Sequence, residues 1–221
     1  MVIRALIFDF DGLILETEGP SYQSWKAVYQ SFGLSLPFST WSTIIGTTQG
    51  AFDPQVELQK QVAAEVDWEA VEAQRQAGEQ ALLEAQPVLP GVLSYLQDAQ
   101  QMGLKIGLAS SSSSKWVVGH LKRLNLASFF DCIRTKDDVE HVKPYPELYQ
   151  SVLQGLGLLA GEAIALEDSP IGIQAAKSAG IYCVAIPNPL TSLLSLDQAD
   201  LQLSSLADLP LGRLLSIVNR D

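Results

Sequence analysis

Short apolar runs recur along this chain, each the length of one strand: Ile3–Phe8, Leu104–Ala109, Asp131–Arg134, Ala163–Leu166, Tyr182–Ile186 and the weaker Asp200–Leu203. Helical patterns lie between the later runs. Gly91–Gln101 carries apolar Val92, Leu93, Tyr95, Leu96 and Ala99, and Lys115–Leu124, Pro146–Leu156 and Ile171–Ala179 follow. A strand that is apolar throughout has to be covered on both faces, and alternating helices supply the covers. The fold class is therefore α/β, a doubly wound (Rossmann-like) parallel sheet.

The first run breaks this rhythm, because no second strand follows until Leu104. Ser21–Phe32, roughly Asp53–Ala64 and Asp67–Leu83 all read as helices, with Asp53-Pro54 as an N-cap and first-turn proline. Gln86-Pro87 and Leu89-Pro90-Gly91 mark the return to the sheet. The expected organisation is a core domain from 1–15 and 88–221, with an all-helical domain inserted over 16–87. The insertion holds ten acidic and three basic residues, net −7, against −4 for the remainder.

The 221 residues, 47% hydrophobic, suffice for a real core. The net charge of −11 argues against nucleic acid or an anionic membrane as partner, though not against one anion in a local pocket. The apolar runs are too short to span a bilayer. Arg4 is followed by a stretch broken by Asp9 and Asp11, a poor signal peptide. Cys132 and Cys183 sit in apolar runs and read as buried thiols, which suits a reducing cytoplasm.

In open parallel sheets, ligands bind beyond the carboxyl ends of the strands. Here those ends carry Asp9-Phe10-Asp11-Gly12, then Ser110-Ser111, then Lys143-Pro144 some residues past the third run, then Glu167-Asp168. Hard oxygen donors from Asp9, Asp168 and Glu167 suit Mg²⁺, and the absence of soft ligands disfavours zinc. Lys143 would neutralise a phosphoryl oxygen, and Ser110 with nearby N–H groups would hold another. Gly12 permits the sharp turn that brings Asp9 and the Asp11 carbonyl to one ion.

Asp9–Glu18, Leu108–Ser111, Lys143–Pro146 and Leu166–Gly172, in this order and spacing, resemble the four motifs of the haloacid dehalogenase superfamily. The resemblance covers essentially the whole chain. It points to the branch with a helical C1 cap, the β-phosphoglucomutase-like phosphatases. It implies phosphoryl transfer through an aspartyl phosphate on Asp9, with Asp11 as general acid and base. Ser110, Ser111 and Lys143 would bind phosphate. Mg²⁺ would be held by Asp9, the Asp11 backbone carbonyl, Glu167 and Asp168. Thr17 stands where the chain leaves the core and would act at a hinge.

By the same alignment Gln49 occupies the place of the arginine with which the mutases grip a second phosphate. Gly78 falls near the mutases' cap lysine, and Arg75 is displaced from it by about one helical turn. A bisphosphate, with about four negative charges, would bind at high cost under a cap of net −7. The expected activity is therefore hydrolysis of a small phosphomonoester (a sugar, polyol or nucleoside monophosphate) by a cytoplasmic monomer. A sugar-phosphate mutase is the alternative, distinguished by an isomerised product. A non-catalytic phosphate-binding protein would be expected to lack Asp9 or Asp11.

Glu16 and Glu147 replace aspartates of the family pattern, and Tyr145 replaces a smaller residue. His120 and His141 are expected at the surface, and Ser112–Ser114 as turn and N-cap residues. The aromatic residues of the insertion are expected to be core, with Tyr22 or Trp25 facing substrate.

Overall fold

A computed structural model describes residues 2–45, 52–63 and 65–219. Gln49 lies outside the described residues. The chain runs β1 (Ala5–Phe8), α1 (Glu18–Ser31), α2 (Phe38–Trp41), α3 (Pro54–Gln61), α4 (Trp68–Glu84), α5 (Val92–Gln101), β2 (Lys105–Ala109), α6 (Ser114–Arg123), β3 (Cys132–Arg134), α7 (Glu147–Leu156), β4 (Ala163–Glu167), α8 (Pro170–Ser178), β5 (Tyr182–Ala185), β6 (Leu201–Gln202) and α9 (Leu211–Val218). It divides into two compact units, Met1–Leu15 with Pro87–Asp221, and Glu16–Gln86.

The first unit is built on one parallel sheet in the order β3-β2-β1-β4-β5-β6. The sheet is buried on both sides, and the period of two along β1 makes this visible. Leu6 and Phe8 join one apolar cluster with Val92, Leu96, Val117, Leu121, Leu211 and Leu214 of α5, α6 and α9. Ala5 and Ile7 join the other, with Leu148, Val152, Ile173 and Ala176 of α7 and α8. β1 lies at the centre, with Ala5 paired to Lys105 of β2 on one side and to Ala163 of β4 on the other. The chain reverses its direction of winding there, so the ends of β1, β2 and β4 open onto one crevice.

The sequence reading leaves out α9, although Leu211, Leu214, Leu215 and Val218 form a helical stripe. It also starts α1 three residues late. Pro20 sits in the first turn of α1, where its missing N–H would have no partner in any case.

The second unit is helical. Asp53 caps α3 by accepting the N–H groups of Gln55 and Val56, with Pro54 at the first position. Asp67 caps α4 by accepting that of Ala70. α1 packs along α4. Aromatic rings pair within it, Tyr22 with Phe38 and the buried Trp41, and half-buried Phe32 stacked on Trp68 at 5.7 Å between centroids. Among the described residues, no helix is long and apolar enough to cross a membrane.

Candidate active site

The site begins where β1 ends. The Asp9 N–H donates to the Leu166 carbonyl at 3.0 Å, which ties it to β4. The chain then reverses through Gly12, whose φ of +85° lies in the left-handed region. A Cβ at Gly12 would overlap the Asp168 carboxylate and the Asn188 amide, so glycine also makes room for the acid just past β4. Asp168 is fixed from the far side, because Asn188 Nδ2 donates to Asp168 Oδ2 at 2.8 Å. Asn188 is itself locked, its Oδ1 accepting the N–H groups of Leu190 and Thr191.

Lys143, on the loop before α7, is buried among acids. Its Nζ donates to Asp9 Oδ1 and, at 2.6 Å, to Glu167 Oε1. Glu167 Oε1 also accepts the Tyr149 hydroxyl from α7 at 2.6 Å. Glu167 Oε2 turns to the start of α8, where a Cβ at Gly172 would overlap the carboxylate. The α8 N-terminus favours an anion there. Burial pushes the Asp9 carboxyl up to about 8 despite the pull of Lys143, and Glu167 and Asp11 add to the rise. Burial would lower Lys143, but the Asp9 and Glu167 carboxylates outweigh it and hold its ammonium above the ordinary lysine range. Two buried carboxylates, Asp9 and Glu167, share the one ammonium of Lys143.

Carboxylate oxygens of Asp9, Glu167 and Asp168 lie within 4.8 Å of one another, and all three residues are buried. With all three carboxylates ionised and Lys143 charged, the set carries an excess of two negative charges, which one divalent cation would balance. All the donors are hard oxygens. On charge and on donor type, these residues fit a metal ion such as Mg²⁺.

The loop from β2 to α6 supplies the other wall. Ser110 is fully buried. Its Oγ accepts the Ser112 N–H at 3.0 Å and donates to Asp11 Oδ2 at 3.3 Å. Ser111 Oγ is buried without a hydrogen-bond partner among the described residues, so this hydroxyl has capacity for a ligand. The structure thus brings Asp9, Asp11, Ser110, Lys143, Glu167 and Asp168 into one contiguous cluster. Thr17 lies in the other unit, as the residue before α1, and its side chain makes no capping hydrogen bond.

Several expectations need correction. His120 is buried, 7% exposed, against Phe10 and Trp116, because it falls on the core face of α6 one turn after Trp116. Of the serine run, Ser113 is the N-cap of α6, but Ser112 Oγ donates to Asp11 Oδ2 at 2.6 Å. Trp116, Tyr149 and Asn188 were missed altogether. No local pattern marks them, since each meets its carboxylate from a distant part of the chain. His141 is exposed as expected and pairs with Glu147 at 2.6 Å. In the helical unit, Tyr22 donates to the Leu36 carbonyl, and Trp25 lies under the Arg75 guanidinium at 4.8 Å. Arg75 is spoken for by Glu72, Glu79 and Ser24.

The family profile of haloacid dehalogenase-like hydrolases matches residues 6–186. The chain is 44% identical over 218 residues to YhcW of Bacillus subtilis (strain 168), covering 99% of each protein. It is 30% identical over 181 residues to the "Phosphorylated carbohydrates phosphatase" of Thermotoga maritima, covering 81% of this chain and 82% of that one. Among solved structures, β-phosphoglucomutase from Clostridium difficile superposes with a TM-score of 0.76 at 26% identity, over 99% of this chain and 98% of that one. A match to the family profile across most of the chain, on a sheet whose central strand ends carry the acids, makes this protein a member of the haloacid dehalogenase-like hydrolases.

Proposed function

We propose that the protein is a Mg²⁺-dependent phosphatase that hydrolyses small phosphomonoesters through an aspartyl phosphate on Asp9. The observation that carries the reading is the contact of buried Asp9 with Lys143, beside Glu167 and Asp168. A carboxylate attacks a phosphate dianion only where the mutual repulsion is offset, and the Lys143 ammonium lies against Asp9 to do so. Asp9, Glu167, Asp168 and the Asp11 backbone carbonyl would hold Mg²⁺, which when bound supplies further charge stabilisation of the phosphoryl oxygens.

In the first half-reaction an Asp9 oxygen forms a bond to phosphorus. The ester P–O bond breaks, and the leaving oxygen takes a proton from the Asp11 carboxyl. In the second half-reaction water attacks phosphorus and gives a proton to the Asp11 carboxylate. The Asp9–phosphorus bond breaks, and inorganic phosphate leaves. Ser110 and Ser111, with the amides of the β2–α6 loop, would hold the phosphoryl oxygens.

The leaving group is a neutral or weakly charged alcohol of the sugar or polyol kind. Two facts support this. The helical unit is strongly acidic in sequence, and its Arg75 is already paired with Glu72 and Glu79, so it offers little to a second phosphate. The Thermotoga maritima relative is named for phosphorylated carbohydrates.

The test is a panel of sugar, polyol, nucleoside and bisphosphate esters, with and without Mg²⁺, beside Asp9→Asn. Inorganic phosphate from neutral monoesters, dependent on Mg²⁺ and absent in Asp9→Asn, is the expected result. Turnover surviving in Asp9→Asn would overturn the nucleophile assignment. An isomerised product without release of phosphate would make the enzyme a mutase.

A further inference from the structure

The Asp11 carboxylate is held chiefly by residues outside the motifs. Its Oδ1 accepts the Trp116 indole N–H at 2.9 Å. Its Oδ2 accepts the Ser112 hydroxyl at 2.6 Å and, more loosely, that of Ser110 at 3.3 Å. Both carboxylate oxygens are therefore tied to one loop and the first turn of the helix after it.

The Trp116 ring is fixed in turn. It meets the buried His120 ring edge-on, with centroids 4.4 Å apart, and His120 lies against Phe10, the residue before Asp11. Ser113 caps α6 by accepting the Trp116 N–H, which sets the backbone from which the indole projects. An indole N–H can only donate, so it holds Oδ1 as an acceptor and leaves Oδ2 to hydroxyls that can donate or accept. The indole nitrogen thus points at a carboxylate while the ring packs on His120.

We propose that Trp116 and Ser112 are positioning residues for Asp11: the indole N–H and the serine hydroxyl hold its carboxylate in the orientation from which it delivers a proton to the leaving oxygen. The proposal rests on the acid–base reading of Asp11 given above, and it adds two residues that act through that carboxylate without touching substrate. Proton transfer depends on heavy-atom geometry within a few tenths of an ångström. A carboxylate free to rotate loses catalysis even though it is present.

The consequence is confined to esters that need an acid. Trp116→Phe, Ser112→Ala, Asp11→Asn and the double variant Asp11→Asn/Trp116→Phe are assayed in the full-length enzyme with Mg²⁺. The substrates are p-nitrophenyl phosphate, whose leaving group needs no proton, and the alkyl monoester of the panel turned over fastest. The quantity read is kcat/KM, which covers only the steps up to loss of the alcohol. Trp116→Phe is expected to lower kcat/KM on the alkyl ester by about tenfold more than on the aryl ester, the worth of one hydrogen bond to a charged group. In the Asp11→Asn background the same change is expected to cost less than about twofold, because the two act as a unit. Ser112→Ala, which removes only a hydroxyl, is expected to give the same alkyl-over-aryl bias, and it carries the test if Trp116→Phe fails to fold.

Equal losses on both esters, or a full tenfold loss that persists in the Asp11→Asn background, would reduce Trp116 to a packing residue. An unbiased Ser112→Ala would remove Ser112 from the proposal. The parent reading is scored separately by Asp11→Asn alone, since an equal loss on both esters there would remove Asp11 as the acid.

Discussion

Removing one oxygen atom from Tyr149 isolates the energetics of the buried charge cluster. In Tyr149→Phe the ring stays where it is, packed fully buried among the apolar residues of α7 and α8, so no cavity opens. What disappears is the 2.6 Å hydrogen bond from the hydroxyl to Glu167 Oε1. The phenol is a dependable donor, because burial and the nearby Glu167 and Asp9 carboxylates hold its pKa well above the ordinary tyrosine value. After the change, that oxygen retains only Lys143 Nζ, which it shares with Asp9. A hydrogen bond to a charged group contributes about 1.5–3 kcal/mol. For a chain of this length each 1 kcal/mol moves Tm by about 2–4 °C, so the expected loss is about 3–12 °C. The assay is thermal unfolding in EDTA and again in Mg²⁺. The loss should be larger in EDTA, where Glu167 Oε1 is left with only the shared ammonium. A Tm within about 1 °C of wild type in EDTA would refute the reasoning, because it would mean the Glu167 carboxylate does not depend on the Tyr149 hydroxyl.

Three further outcomes follow from the same geometry. Asp9 sits at about 8 in the folded protein against 3.8 for the ordinary side chain. The native state therefore binds this proton more tightly than the unfolded state, and its contribution to stability is full below about pH 4 and lost as pH rises toward 8. Measured in EDTA between pH 5 and pH 8, wild type should lose stability relative to Asp9→Asn, whereas a constant difference would sink the argument. Asn188→Ala removes the amide that donates to Asp168 Oδ2, and a lost partner of a metal-binding acid weakens metal affinity by about 10–100-fold. The Mg²⁺ concentration giving half-maximal activity should rise accordingly, and an unchanged value would show that Asp168 needs no such support. Gly12→Ala forces a side chain into the left-handed region and into the Asp168 carboxylate, so it should both lower Tm and abolish turnover; an active, undisturbed variant would mean the turn has another conformation to adopt.

Much of this protein was legible before any coordinates. Apolar runs such as Ala163–Leu166 are strands wherever they pack, because a short run without polar breaks has to be covered on both sides. The same logic located Asp9, Ser110, Lys143, Glu167 and Asp168 just past or near strand ends, and their chemistry already pointed to a cation and a phosphate. The Asp53-Pro54 cap could be read because capping is settled within four residues of chain.

Tertiary structure decided which residues hold those acids. Trp116 reaches Asp11 across 105 positions, Tyr149 reaches Glu167 across 18, and Asn188 reaches Asp168 across 20. It also turned His120 from an expected surface residue into part of the wall behind Trp116. Periodicity and motif spacing are local properties, set by the backbone's own repeat. The partner of a buried carboxylate depends on strand order and helix register, which exist only once β1 is seated between β2 and β4. The sequence by itself determined the fold class and put the acids, serines and lysine near the strand ends, and the packing of α6, α7 and the loop after β5 determined the donors that hold those acids in place.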